Sequence, residues 1–390
     1  MQRNGNSVST RSQEGRMTIG VDMGGELWAT AVHDWDSGKE SYFALKDKNA
    51  ITKEKLLFGK IRESVKAGRT VDVYYEAGRY GYWVAREVQR LGATPHILPI
   101  NKRKVLMCGK VVKTDKLDAK FLGGLHPSDA LPEVYIPTLE EEGCRDAERE
   151  LERLTKSIHR LNAQLIALVE RTPLKTPDGH RTRALWRRQM ILWSEGKALS
   201  KMSKLMALRM GNLIEELELA ERHSTAWQSV IDSKLEADAK SNEAGKALRT
   251  ETTRKLESFK GVGPKVSRFP AWELGDLSRF KNGKHLASYL GLAPCPWASG
   301  TMNKDQGISK TGRRSLRRMA VELAWLWSKW QPDSALTKKW RERLDQKGRS
   351  RRTAIVAMAR QLMVALWRFI VKGEAIEGAI VNKPVKCAKA

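Results

Sequence analysis

Apolar and polar positions divide the chain into three stretches of different period. Residues 17–25 form a short apolar run that closes on two glycines and predicts a buried strand. Residues 27–33 and 41–45 predict the next two strands. Helical spacing follows at 52–67, a fourth strand at 71–76, a helix at 80–91 and a fifth strand at 94–98. A further helix carries Asp115 and Asp118. Three strands followed by alternating helix and strand predict an α/β unit, a mixed sheet with helices on its faces.

The second stretch is purely helical in period. Leu151, Leu154, Ile158, Leu161, Leu165 and Leu168 keep an unbroken three-four alternation, the seam of a coiled coil or helical hairpin. A breaker cluster at 172–179 ends it. A second helical stretch over 183–256 has its own seam through Leu199, Met202, Met206, Met210, Leu213, Leu217 and Ala220. These predict two antiparallel arms, paired within one chain or between chains.

The third stretch opens at Gly261-Val262-Gly263-Pro264. Its glycines suit either a close backbone approach to a phosphate or a tight interhelical turn. Short helices are expected at 276–280 and 286–292, and a polar loop rich in turn formers at 294–307. Lys310, Arg313, Arg314, Arg317 and Arg318 then lead into an apolar helix with Trp325, Trp327 and Trp330. Basic residues at a helix start suit phosphate contacts. The tryptophans suit core packing first and base stacking second. A last amphipathic helix follows, and residues past about 373 read as a basic tail. The expected divisions are a disordered 1–16, an α/β domain 17–137, an arm 138–255, a mostly helical C-terminal domain 256–372 and a tail 373–390.

Charge narrows the partners. The net charge is +26 with 71 Lys and Arg, which points to phosphate polymers before an anionic membrane. The most apolar stretch, 354–371, is interrupted by Arg360 and Arg368, so no membrane span is expected. The polar start lacks the apolar core of a signal peptide. Cys108, Cys144, Cys295 and Cys387 form no CxxC pair, which fits a reduced cytoplasm rather than zinc.

The acids give this basic chain its chemistry. Asp115 and Asp118 stand at i and i+3, on one helical face, among Lys110, Lys113, Lys116 and Lys120. Asp22 and Glu76 sit on apolar strands, where an ionised carboxylate is costly unless it meets a cation or strong donors. Together the four would form an oxygen-ligand site for Mg2+. A solvated helix face and strand ends in water are the competing readings.

The blocks Gly20-Val21-Asp22, Tyr75-Glu76-Ala77-Gly78, Val112 to Ala119, Gly261 to Pro264, Arg279-Phe280, Tyr289 to Leu292 and Ser299-Gly300, in this order, resemble insertion-sequence family one-hundred-ten. The resemblance extends to its eleven-eleven subgroup, the DEDD serine-dependent recombinases, and covers most of residues 17–330. It implies a RuvC-like, RNase H-type domain with Asp22, Glu76, Asp115 and Asp118 as catalytic acids and Mg2+ ligands. It also implies a coiled-coil arm and a C-terminal transposase domain whose Ser299 attacks DNA. The implied partners are donor and target DNA, a structured non-coding bridge RNA that pairs with both, and further copies of the chain. The copies would form a tetramer, a dimer of dimers with active sites composed across subunits. The implied location is the bacterial cytoplasm at the nucleoid. The family loop usually carries two serines before its glycine; here Ala298 takes the first place. Candidate nucleic-acid contacts are Lys102, Arg103, Lys104, Lys113, Lys310, Arg313, Arg314, Arg317 and Arg318.

The expected function is RNA-guided DNA recombination through a phosphoserine intermediate. A hydrolytic metal nuclease or junction resolvase needs only the acids, and a non-catalytic nucleic-acid scaffold needs neither acids nor serine. Acids and Ser299 together favour the recombinase.

Overall fold

The computed structural model describes residues 15–24, 27–46, 50–99, 114–129, 131–172, 190–197, 201–241, 244–299 and 302–382. The chain divides into two compact units, Met1–Thr138 and Leu139–Ala390.

In the first unit five strands lie in the order β3-β2-β1-β4-β5. They are β1 (Arg16–Met23), β2 (Leu27–Asp34), β3 (Lys39–Lys46), β4 (Thr70–Glu76) and β5 (Thr94–Leu98). The first three run as an antiparallel meander, and β4 and β5 join in parallel with β1. The expected mixed α/β sheet is therefore present. Arg16 starts β1 and Gly15 donates its amide to Asp36, so the expected disorder of 1–16 does not reach these two residues.

Strand alternation gives each face its role. Met17, Ile19 and Val21 of β1 and Val71, Val73 and Tyr75 of β4 point into one core. That core includes Leu57 and Ile61 of α1 (Ala50–Lys66) and Val84 and Val88 of α2 (Trp83–Arg90). The alternate positions, Gly20 and Asp22 on β1 and Tyr74 and Glu76 on β4, belong to the opposite face. Helix α3 (Asp115–Gly123) lies on that face. Gly20 makes the seat: an added Cβ would stand 2.1 Å from the Gly123 nitrogen and 2.5 Å from the Ala119 carbonyl oxygen. Gly20→Ala is therefore expected to cost about 3 kcal/mol, since both neighbours are rigid backbone. Urea unfolding checks this, and a loss below about 1 kcal/mol would contradict so close a seat.

Further along that face, Arg16 donates to Asp72 at 2.8 Å, and His96 bridges Asp72 and Glu133 at 3.0 and 2.7 Å. Burial pulls the His96 pKa down, but hydrogen bonds to the two carboxylates outweigh it and leave it raised. The network ties β5 to the segment after α3.

In the second unit, α4 (Leu139–Glu170) and α5 (Lys204–Lys240) form the arm. Leu154, Leu161, Leu165 and Leu168 meet Met210, Leu213, Leu217 and Ala220, so the two seams pair within one chain. Leu199 lies outside the described residues. The second stretch is not continuous: the chain turns extended at Ser241 before α6 (Ala244–Glu257).

The rest is α7 (Pro264–Leu274), α8 (Gly283–Tyr289), β6 (Pro294–Ser299), β7 (Met302–Ile308), α9 (Arg314–Trp330), α10 (Ala335–Asp345) and α11 (Arg349–Lys372). One helix, Ser350–Lys372, is long and apolar enough to cross a membrane by length and composition. Its Met358, Leu362, Leu366 and Trp367 are buried with Leu286 and Leu323 in the core of this unit. Trp327 is also core and donates to Ser334 at 2.9 Å.

Two expectations change here, and an open one is decided. Residues 294–308 form an antiparallel hairpin rather than a loop, because Pro294, Trp297 and Ser299 pair with Ile308, Lys304 and Met302. The glycine turn at Gly261 packs on protein: a Cβ there would stand 2.4 Å from Cβ of Trp330. The basic tail begins later than expected. Residues up to Asn382 fold back, with Val381 bridged to Phe259 and the buried Gln331 amide donating to the Lys260 and Ile380 carbonyls at 2.9 Å. Gly373, in the left-handed conformation at φ 71°, turns the chain out of α11 for this return.

Candidate active site and nucleic-acid interface

Register brings the strand acids together. Val21 pairs in parallel with Tyr75, so Asp22 and Glu76 are the next residues at the C-terminal ends of adjacent strands, on one face. Helix α3 begins over the same end. The Thr114 hydroxyl accepts from the Leu117 amide at 3.2 Å and caps the helix, which sets Asp115 and Asp118 in its first turn. Ala119 packs against Ala29, the cross-strand partner of Asp22. Asp118 therefore lies at the Asp22 end of the sheet.

The two helix acids differ in surroundings. Asp118 is 1% exposed, whereas Asp115 faces solvent. The i, i+3 spacing suggested one shared environment, but the sheet reaches only the inner edge of that face. Among the described residues, no three His, Cys, Asp or Glu stand close enough to hold a metal ion as they are. Asp22, Glu76 and Asp118 fit a hard divalent cation by donor type and by their convergence on one end of the sheet. Lys116 lies over the Tyr42 ring and Lys120 faces Glu40 at 3.9 Å, so these two cations engage β3 rather than the acids.

Tyr80 escaped the sequence reading. Its hydroxyl donates to the Gly24 carbonyl at 2.8 Å and accepts from the Trp28 indole at 3.1 Å. It thereby ties the turn after Asp22 to the loop after Glu76. Its only sequence signal is its place four residues past the acid.

Ser299 ends β6, paired with Met302; its side chain, Gly300 and Thr301 lie outside the described residues. The root of the hairpin is built by two blocks that looked separate in sequence. The Ser309 amide donates to Ala293 and the Lys310 amide to Gly291. Gly291 and Gly312 permit this, since a Cβ on either would stand 2.1 Å from the Thr311 or 2.3 Å from the Tyr289 carbonyl oxygen. Lys310, at φ 55°, is the one non-glycine residue with positive φ among the described residues.

Lys102, Arg103, Lys104 and Lys113 lie outside the described residues. Lys310 and Arg314 are exposed, and Arg317 donates to the Thr311 carbonyl at 3.2 Å. Arg313 and Arg318 meet acids: both bind Glu152 of α4, at 3.1 and 2.9 Å, and Arg313 also pairs with buried Glu273. Burial raises the Glu152 pKa, but Lys156, Arg313 and Arg318 outweigh it and leave it lowered. Burial and the nearby Arg149 lower that of Arg313. Beside them Arg149, Arg153, Lys156 and Arg160 form an exposed row along α4. The same three-four spacing that betrayed the leucine seam marks this row.

These features define a two-unit protein with carboxylates gathered at a sheet end and cations spread over a helical unit. Comparison with known proteins gives the class. Residues 253–339 match the family model described as transposase IS116/IS110/IS902 family. Putative transposase y4rJ of Sinorhizobium fredii is 31% identical over 325 residues, covering 80% of each chain. The transposase for insertion sequence element IS1111A of Coxiella burnetii is 24% identical over 271 residues, covering 67% of this chain and 68% of its own. The pilin gene-inverting protein of Moraxella bovis is 32% identical over 116 residues, 30% of this chain and 35% of its own. The chain belongs to the IS116/IS110/IS902 family: it is an insertion-sequence transposase, and its substrates are DNA.

Proposed function

We propose that this transposase exchanges DNA strands through a covalent phosphoserine, with Ser299 as nucleophile and Asp22, Glu76, Asp115 and Asp118 as the acidic centre, guided by a structured RNA. The observation that carries the reading is the convergence of Asp22, Glu76 and buried Asp118 on one face and one end of the sheet. An antiparallel meander continued by two parallel strands, with acids on the first strand, the fourth strand and a covering helix, supports a RuvC-like, RNase H-type domain. Bound Mg2+ would neutralise phosphodiester charge and stabilise the leaving oxygen. Asp22, Glu76 and Asp118 would hold it, with Asp115 at the solvent edge. Ser299 Oγ forms a bond to phosphorus as the bond from that phosphorus to a deoxyribose oxygen breaks, and the proton lost by the serine is balanced by the one the departing oxygen takes up to leave as a hydroxyl. The ester energy is kept, and the hydroxyl of an incoming strand reverses the step.

RNA guidance rests on the resemblance and on a charge of +26 over a chain of 390 residues. A tetrameric assembly rests on the resemblance alone. Sequencing RNA that co-purifies with the protein tests the guide: one structured species encoded beside the element supports it, and random cellular RNA removes it. Binding to DNA or RNA is expected to fall about 10^3-fold or more between 50 and 200 mM salt, as Lys and Arg contacts displace counterions. A flat dependence would mean that the charge serves another purpose.

A further inference from the structure

Helices α4, α7 and α9 of the second unit enclose a cleft that the strand-exchange chemistry does not use. Its space of about 260 Å3 suits one small molecule rather than a duplex. The floor is apolar: Leu151, Val266, Phe269 and Met319. The rim carries exposed Lys156, Lys265 and Arg318 beside Glu148, Glu152 and Glu322, with Lys156 and Arg318 ion-paired to Glu152 at 2.9 Å each. Helices α7 and α9 both start at the cleft, and neither has a side-chain cap, so their first amides add positive potential. Ser315, in the first turn of α9, lines the cleft. It is 9% exposed, and its Oγ has no hydrogen-bond partner among the described residues. Such a hydroxyl is costly to bury unless something in the cleft meets it. Glu322 supplies a carboxylate acceptor at the same opening, whereas Glu152 is engaged by Lys156, Arg313 and Arg318. Alongside runs the row Arg149, Arg153, Lys156 and Arg160, in which Arg149 pairs with Glu273, Arg153 with Glu150 and Lys156 with Glu152.

A flat ring fits the apolar floor, a polar ring edge fits Ser315, and flanking phosphates fit the rim and the row. We propose that this cleft holds one unstacked base of a single-stranded nucleic-acid segment, whose backbone runs along the cationic row of α4. Aromatic and apolar platforms bind single strands this way because every base has a π-face. Bases inside a duplex are stacked and paired, and so are excluded. A base with an exocyclic amine is preferred, because Glu322 accepts but does not donate and the unpartnered Ser315 Oγ can accept from the same amine. The inference rests on the reading of the chain as a nucleic-acid enzyme, but it is independent of Ser299 and of the acids.

The test uses the full-length protein and short single-stranded DNA in which 2-aminopurine, bright only when unstacked, is moved through the sequence. With wild type, fluorescence is expected to rise several-fold at one position relative to the bound phase, with no rise on a matched duplex. Met319→Trp fills the cleft and is expected to abolish the rise and weaken single-strand binding about tenfold. Ser315→Ala leaves the walls intact and guards against misfolding at 319. It is expected to narrow the preference for amine-bearing bases at that position by a few-fold. A bound strand that brightens at no position overturns the cleft proposal while nucleic-acid binding stands, as does an unchanged signal in folded Met319→Trp or an unchanged base preference in Ser315→Ala. Failure to bind either DNA at low salt overturns the nucleic-acid reading itself.

Discussion

Asp118→Asn is expected to lower Mg2+-dependent strand cleavage about 10^3-fold while leaving DNA affinity within a few-fold. The side chain is 1% exposed at the start of α3, on the sheet face that carries Asp22 and Glu76. Asparagine keeps the volume and one carbonyl oxygen but removes the charge that a hard cation requires. Losing about 4 kcal/mol of electrostatic stabilisation in the transition state accounts for a factor of that size. Asparagine is isosteric with aspartate, so the fold should be retained. Asp115 is exposed, so Asp115→Asn is expected to cost less, about tenfold. The checks are cleavage rates of a labelled substrate at saturating Mg2+ and thermal unfolding without metal. Wild-type cleavage by Asp118→Asn would end the metal-ligand role of this helix. Equal losses in both variants would show that burial does not rank the two acids.

The sheet was legible because its period is simple. Met17, Ile19 and Val21 alternate with polar or small residues, and the structure buries that set in one core. Asp22 and Glu76 stood out because a carboxylate interrupts an apolar strand. The approach of α3 was not legible, because its cause is an absence of side chain. Gly20 looks like any strand glycine until Gly123 is found resting on it. The arm seams were readable for the same periodic reason as the sheet. Their pairing partner was open, since leucine stripes fit a neighbouring chain as well as their own. The hairpin bearing Ser299 was missed because its strands are short and polar, with two prolines in β6, features that also mark loops. Its root depends on contacts between Gly291 and Thr311 that no local pattern encodes. The ion pairs of Arg313 and Arg318 with Glu152 bridge residues far apart in sequence, which a run of cations cannot reveal.

Ser299→Ala is expected to lose recombination altogether while still binding DNA and RNA. A loop serine before a glycine is ordinarily a turn residue, and three observations favour a nucleophile here. Its backbone ends β6 beside Met302, at the far end of a hairpin whose root is fixed by Gly291 and Gly312. The acidic centre supplies oxygen ligands but no group that keeps phosphodiester energy in a covalent bond, as resealing without another energy source requires. Within the C-terminal domain expected over 256–372, His285 is the single histidine in the sequence. On the proposed reading, a cation held by Asp22, Glu76 and Asp118 would activate the hydroxyl. The adduct should accordingly require Mg2+ and disappear in Asp118→Asn, although the serine and that acid lie in different units. Thermal unfolding of Ser299→Ala beside wild type checks that lost activity reports chemistry rather than folding. Denaturing electrophoresis with labelled DNA shows a protein–DNA adduct as a retarded band, and protease treatment collapses it. Wild type should give the band, and Ser299→Ala should give neither band nor recombinant product. If Ser299→Ala recombines, or if wild type releases free 3′ and 5′ ends with no retarded band, cleavage proceeds through water and the chain acts as a hydrolytic metal nuclease.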